Sequence, residues 1–260
     1  MNVRHLGNGI LAIDGLLDLD NKRSLAWLER IEAGSSPQAY IEVDDSVELN
    51  QGGYEFSKNS VDTRPTRFDN FQYDGKTEED DLIRKLIDDA IYSAVVLYAR
   101  VFPVSISELT WRTNGHIARY EPGQYIGSHS DCGLPYDGDT YNPLHIFPLY
   151  NTLTTTVALN DNYDGGELKF KTWGITHKGK VGSVTVYPSS YIGAHEILPV
   201  TSGVRYSYLS WFCHGLEHFD YDSMRKEDAD FKWLVNLKKD VEKVEGLDFG
   251  YVPVGTLLGI

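Results

Sequence analysis

Hydrophobic positions along the chain change period near residue 103, from a helical spacing to short alternating runs. Residues 10–33 open on an alternating apolar segment. They pass into a helical pattern with Leu25, Leu28 and Ile31 on one face and Asp20 and Asn21 as caps. Residues 34–73 are polar, rich in Gly and Asp, and read as a long loop or mobile hairpin holding Arg64, Pro65, Thr66 and Arg67. Residues 77–101 give the clearest predicted helix, with Thr77 as cap, acidic residues in the first turn, and Leu82, Leu86, Ile87 and Ile91 at helical spacing. Pro103 ends it. Beyond it, segments rich in Val, Thr, Tyr and Ile are broken by Gly, Pro, Asn and Asp. They predict strands at 109–120, 154–160, 167–171, 182–187, 193–199 and 204–213. Such spacing points to a β-sandwich or barrel flanked by helices. Residues 222–244 read as a further amphipathic helix and 248–260 as an apolar tail.

Composition adds that this core is a sizeable one. With 260 residues, 41% hydrophobic and 24% charged, the chain reads as one domain with at most a modest helical annex. The 24 Lys and Arg against 38 Asp and Glu leave a net charge of −14, which disfavours nucleic acid as a partner. Cys132 and Cys213 are too few and too far apart for a disulfide framework or a CxxC motif, so free thiols are expected. No apolar run is long enough to span a bilayer and residues 1–11 lack the pattern of a signal peptide. A cytoplasmic chain with no membrane association is the expectation.

Three pieces of the β-rich region carry chemistry. His129 and Asp131 in RYEPGQYIGSHSD are two apart, and on a strand such residues face one side, where an imidazole and a carboxylate can share a metal. His195 lies in YPSSYIGAHEILPVTSGVRYSYLSWF, and ten residues on, alternation puts Arg205, Ser207, Leu209 and Trp211 on one strand face. An arginine on the inward face of a β-core demands an anion, from a distant acidic residue or from a ligand carboxylate. The third piece, Gly165, Gly166 and Glu167 after Tyr163 and Asp164, fits a tight turn before a strand.

In this order the pieces resemble the prolyl 4-hydroxylase branch of the iron(II)- and 2-oxoglutarate-dependent dioxygenases. The resemblance runs from about Thr110 to Phe212, through RYEPGQYIGSHSD, TVALNDNYDGGELKF and KGKVGSVTVYPSSYIGAHEILPVTSGVRYSYLSWF. It implies a mainly β fold with flanking helices, a double-stranded β-helix (jelly roll, cupin-like). Residues 1–260 would form a single domain, with helical support at about 1–105, the β-helix core at about 106–215 and a C-terminal helix and tail at about 220–260. It further implies iron(II) held by His129, Asp131 and His195, with 2-oxoglutarate and molecular oxygen as cosubstrates and ascorbate as reductant. Arg205 would pair with the far carboxylate of 2-oxoglutarate, joined by Tyr120, Trp211 and, on strand parity, Thr156.

The family's activity is oxidative decarboxylation of 2-oxoglutarate to succinate and carbon dioxide, coupled to hydroxylation. A prolyl residue in a peptide or protein is the expected substrate, with Tyr125 in a proline-stacking groove and Arg64 and Arg67 on a substrate-covering loop. A free amino acid or other small molecule is the alternative substrate. A non-catalytic jelly-roll binding module is the third reading, which the intact triad with Arg205 opposes. Two departures stand out: Arg205 occupies a position that is Lys in collagen-type relatives, and residues 132–153 form an insertion longer than in many of them.

Overall fold

A computed structural model describes residues 1–34, 38–40, 66–71, 77–109, 111–112, 115–132, 150–214 and 232–233 of the chain. Helix α1 (Asn21–Gly34) starts where Asp20 Oδ1 accepts from the Arg23 amide at 2.7 Å, an N-cap of the expected kind. Its buried face is Ser24, Trp27, Leu28 and Ile31. Leu25 packs partly buried against the same core, on the face expected with Leu28 and Ile31, and Trp27 is fully buried there as well. Helix α2 (Glu78–Val101) is capped by Thr77, whose side chain accepts from the Asp80 amide, and carries four acidic residues in its first turn. Ile83, Ile87 and Ile91 form its inner stripe, and from Ala94 to Ala99 it is buried all round. Ile87 and Ile91 face inward as expected and Leu86 packs partly buried against the core, but Leu82 points outward at 46% exposure and Ile83 takes the inner place in that turn.

The strands are β1 (Asn2–Gly7), β2 (Ile10–Asp14), β3 (Gln38–Tyr40), β4 (Thr66–Phe71), β5 (Trp111–Arg112), β6 (His116–Tyr120), β7 (Tyr125–His129) and β8 (Tyr150–Ala158). They continue as β9 (Asp164–Gly165), β10 (Leu168–Phe170), β11 (Ile175–His177) and β12 (Val184–Pro188). The last four are β13 (His195–Ile197), β14 (Val200–Ser202), β15 (Arg205–His214) and β16 (Lys232–Trp233). The main path runs β1-β2-β12-β8-β15-β6-β4-β7-β13-β10-β11, and every pairing along it is antiparallel. It folds into two facing layers, a major sheet from β1 to β6 and a minor sheet of β7, β13, β10 and β11, the double-stranded β-helix that the sequence implied.

Strand parity sorts the side chains. Leu11, Ile13, Val157, Val184, Val186, Tyr208 and Phe212 leave the outer face of the major sheet to pack with α1 and α2. Ile10, Tyr120 and Tyr187 face inward to meet Leu168, Phe170, Ile197 and Val200. Burying both faces of a sheet lets one layer hold up the scaffold while its other face forms the site. A buried network fastens α2 to the sheet: Arg112 pairs with Asp88 and donates to Ser210 Oγ at 3.3 Å.

Of the loop and the hairpin expected for 34–73, the described residues show a hairpin, with β3 paired antiparallel to β4, and β4 also bridges β6 to β7, joining the two layers. Ladder hydrogen bonds on both sides give β4 a place that its polar, aperiodic sequence does not advertise. Within the expected helix 222–244, Lys232–Trp233 form strand β16 against β5, since the exposed edge of β5 offers backbone partners there. The rest of 222–244 lies outside the described residues. Both cysteines are free, as expected.

Candidate active site

His129 ends β7 and His195 begins β13, and these strands pair so that the two residues stand directly opposite. Gly193, just before β13, carries no side chain because the Pro188 carbonyl occupies the space a Cβ would need. That close turn brings His195 into line. The imidazole centroids are 4.4 Å apart. Asp131 does not share the strand with His129, as the spacing suggested. β7 stops at His129 and Asp131 sits in the following turn, whose carbonyl accepts from Asn151 Nδ2 at 2.7 Å. The carboxylate nevertheless faces the imidazoles, with Oδ1 3.3 Å from His129 Nε2 and Oδ2 4.0 Å from His195 Nε2. One potential ligand atom from each of the three residues lies within 4.8 Å of the others.

Hydrogen bonds select the form of each group. Nδ1 of His129 donates to the Gly127 carbonyl at 2.8 Å, and Nδ1 of His195 to the Gly193 carbonyl at 3.0 Å. Both bonds leave the Nε2 lone pairs aimed at the space beside Asp131, the tautomer that a metal requires. Burial drives His195 down to about 4, against the pull of Asp131, so the ring is neutral near pH 7. Burial works against the Asp131 charge, but the imidazoles and the Thr154 hydroxyl outweigh it and hold the carboxyl below its usual range. Two imidazoles and one carboxylate, convergent and on one side, fit a divalent metal such as iron(II) with room for other ligands.

A second feature lies farther inside. Arg205 is 6% exposed, and among the described residues no carboxylate pairs with it. Nη1 donates to Ser207 Oγ at 3.0 Å, and the guanidinium lies 5.0 Å from the centroid of Tyr120, its partner across β6 and β15. Arg205 and Thr156 line one small interior cavity of about 20 Å³. The glycine pair shapes it. Gly166, at φ +66°, would place a Cβ 2.9 Å from Arg205 Cδ. A fixed cation facing unfilled space is a receptor for an anion.

The sequence and fold comparisons agree with this geometry. Residues 115–213 match the 2OG-Fe(II) oxygenase superfamily. A PKHD-type hydroxylase of a Synechococcus species is 33% identical over 97 residues, 36% of this chain and 40% of that protein. Another, from Methylobacillus flagellatus, is 28% identical over 163 residues, 61% of this chain and 62% of that protein. The chain therefore spans less than two thirds of the length of these relatives. A Trichoplax adhaerens prolyl hydroxylase, solved with a peptide fragment of the hypoxia inducible factor oxygen degradation domain, shares the fold. Its TM-score is 0.51 at 16% identity, over 80% of this chain and 84% of that one. The resemblance read from the sequence is borne out.

Within this core, side chains that spacing did not reveal link the two ends. The Tyr187 hydroxyl is 3.2 Å from His195 Nε2 and 3.3 Å from Thr156 Oγ1, so it spans from the triad to the cavity. Its titration is pushed well up, first by burial. Thr154 donates to Asp131 Oδ2 at 2.7 Å. His116 lies 5.1 Å, centroid to centroid, from Trp211, and burial takes it down to about 4 despite Asp131. Trp211 stands opposite Thr154 and hence toward the triad, while Tyr120, raised to about 12 chiefly by burial, stands at Arg205. Inward parity on β12 is the signal that would have found Tyr187, two residues from Thr185. Of the residues expected to touch substrate, Tyr125 is half-buried on β7 and pairs through its backbone with Arg67 of β4. Arg64 lies outside the described residues.

Proposed function

We propose that the chain is an iron(II)- and 2-oxoglutarate-dependent dioxygenase that hydroxylates a prolyl residue in a peptide or protein, releasing succinate and carbon dioxide. One observation carries the reading: a convergent His129, Asp131 and His195 set is linked through Tyr187, which reaches both His195 and Thr156, to the cavity where Arg205 lies buried with no carboxylate partner among the described residues. When bound, iron(II) with the 2-oxo acid supplies oxygen activation for insertion into a C–H bond. His129, Asp131 and His195 hold the metal from one side. Arg205, with Tyr120 beside it, orients the far carboxylate and thereby fixes which end of the diacid reaches the metal. Thr156 forms the floor and Trp211 closes the metal end. The buried walls Phe170, Tyr187 and Ile197 keep water from the reacting centre. In this reading residues 1–260 act as one domain in which α1 and α2 brace the major sheet, and ascorbate serves as reductant.

A peptide substrate is favoured by the surface leading to His195. Tyr191 and Trp173 are exposed at 80% and 40%, and Trp173 Nε1 donates to the Ile192 carbonyl at 2.6 Å, holding two apolar segments side by side. Exposed aromatics on and against the segment that leads into His195 suit packing on the apolar pyrrolidine ring of proline. The PKHD-type relatives and the peptide-bound Trichoplax enzyme support the same choice, and Tyr125, Arg64 and Arg67 are assigned to the substrate side. The test is anaerobic addition of iron(II) and 2-oxoglutarate, reading the visible charge-transfer band, followed by oxygen and succinate measurement with and without proline-containing peptides. A band that needs His129, and succinate that rises with peptide, are expected. Turnover unaffected by His129→Ala would overturn the catalytic reading, and turnover stimulated only by free amino acids would overturn the peptide reading.

A further inference from the structure

His177 is a buried group that the reading above leaves unused. It closes β11 opposite Leu168 of the minor sheet, is 6% exposed, and lines the same cavity as Arg205, Thr156 and Thr185. Its Nε2 is fully enclosed and makes no hydrogen bond among the described residues. A buried ring nitrogen in that condition is unfavourable unless a ligand completes it. Lys178, the other cation on the cavity wall, is committed elsewhere: Nζ donates to the Tyr163 carbonyl at 2.5 Å and lies 4.2 Å from that ring's centroid. Burial, then Arg4, lowers the His177 titration, with Asp14 opposing, so the ring is a neutral donor. Arg205 spends one donor on Ser207 and has four others.

We propose that His177 is a second hydrogen-bond donor to the far carboxylate of the cosubstrate, acting across the cavity from Arg205 to select a 2-oxo diacid over a 2-oxo monoacid. The assignment rests on the cosubstrate reading above and adds a specificity residue to it. Two oxygens of one carboxylate would be met from opposite sheets, Arg205 from the major and His177 from the minor. The cation sets affinity, and the neutral ring sets where the carboxylate must lie.

The experiment is an anaerobic spectroscopic titration of the iron(II)-loaded full chain with 2-oxoglutarate and with 2-oxopentanoate, which has the same carbon count and no far carboxylate. For His177→Phe and His177→Leu, the 2-oxoglutarate dissociation constant is expected to rise about tenfold or more with that for 2-oxopentanoate unchanged. His177→Gln keeps an N–H and should stay within about threefold of the parent. Melting temperatures identify any variant that is unfolded, and the other two then carry the comparison. An unchanged ratio of the two constants in the donor-free variants, or an equal rise in both, overturns the assignment while leaving the cosubstrate reading intact. A parent protein that gives no band with 2-oxoglutarate overturns both.

Discussion

Replacing Thr154 by valine removes one hydroxyl and almost no volume from beside the triad. Thr154 is wholly buried, and its only proton goes to Asp131 Oδ2 at 2.7 Å. In the 2.9 Å contact with Ser189 the serine must therefore donate, so the two hydroxyls form a relay pointed at the carboxylate. Valine leaves Asp131 with one fewer donor and Ser189 without its acceptor. A hydrogen bond to a buried charge contributes about 1.5–3 kcal/mol, and at about 1.4 kcal/mol per decade that corresponds to a ten- to hundredfold loss of metal affinity. Calorimetric titration with iron(II) or cobalt(II), without oxygen or 2-oxoglutarate, reads it directly. Thr154→Ser should recover most of the affinity because it restores the hydroxyl. A valine variant that binds metal within about twofold of the parent would show that the relay does not support the triad.

Three further outcomes follow from the same contacts. Gly166→Ala should lower stability by about 1–2 kcal/mol from its left-handed backbone, and the Cβ crowding Arg205 should weaken 2-oxoglutarate binding but not metal binding. Urea denaturation and anaerobic titration separate the two effects, and unchanged cosubstrate affinity would refute the role given to the glycine. In metal-free protein, His195 titrates near 4 when folded against an ordinary 6.5, so the unfolded chain binds the extra proton between those values. Stability should be full above pH 6.5 and fall by about 3 kcal/mol as pH drops to 4; a flat profile in chelator over that range contradicts the neutral buried ring. Asp80→Ala removes two contacts from Arg30, at 2.7 and 2.9 Å, that tie α2 to α1. A loss of about 1–3 kcal/mol in melting experiments is expected, and a change under about 0.5 kcal/mol would mean that packing alone docks the helices.

How far the site could be read from sequence depended on how local each signal was. His129 and Asp131 are two residues apart, and Arg205 declared itself by parity on a strand whose inward face it shares with Ser207. The turn that holds Asp131 was not legible, because it depends on Asn151 and Thr154, some twenty residues on. Tyr187 and His177 likewise look like ordinary strand residues until β12 and β11 are placed around the cavity. The helices show the same division: Thr77 and the acidic turn after it marked the start of α2, whereas the choice of Ile83 over Leu82 and the full burial of Trp27 came from packing.

The sequence by itself determined the periods, the helix starts, the free thiols, the acidic balance and the short list of side chains able to hold a metal and an anion. These are properties of neighbours in the chain, where spacing dictates which way side chains point. Tertiary structure decided that β4 joins the two layers, that Asp131 reaches the imidazoles from a turn, and that Tyr187 spans from the triad to the Arg205 cavity. Antiparallel pairing made those decisions, since it places residues dozens of positions apart within hydrogen-bond reach, and nothing in a linear pattern records that distance.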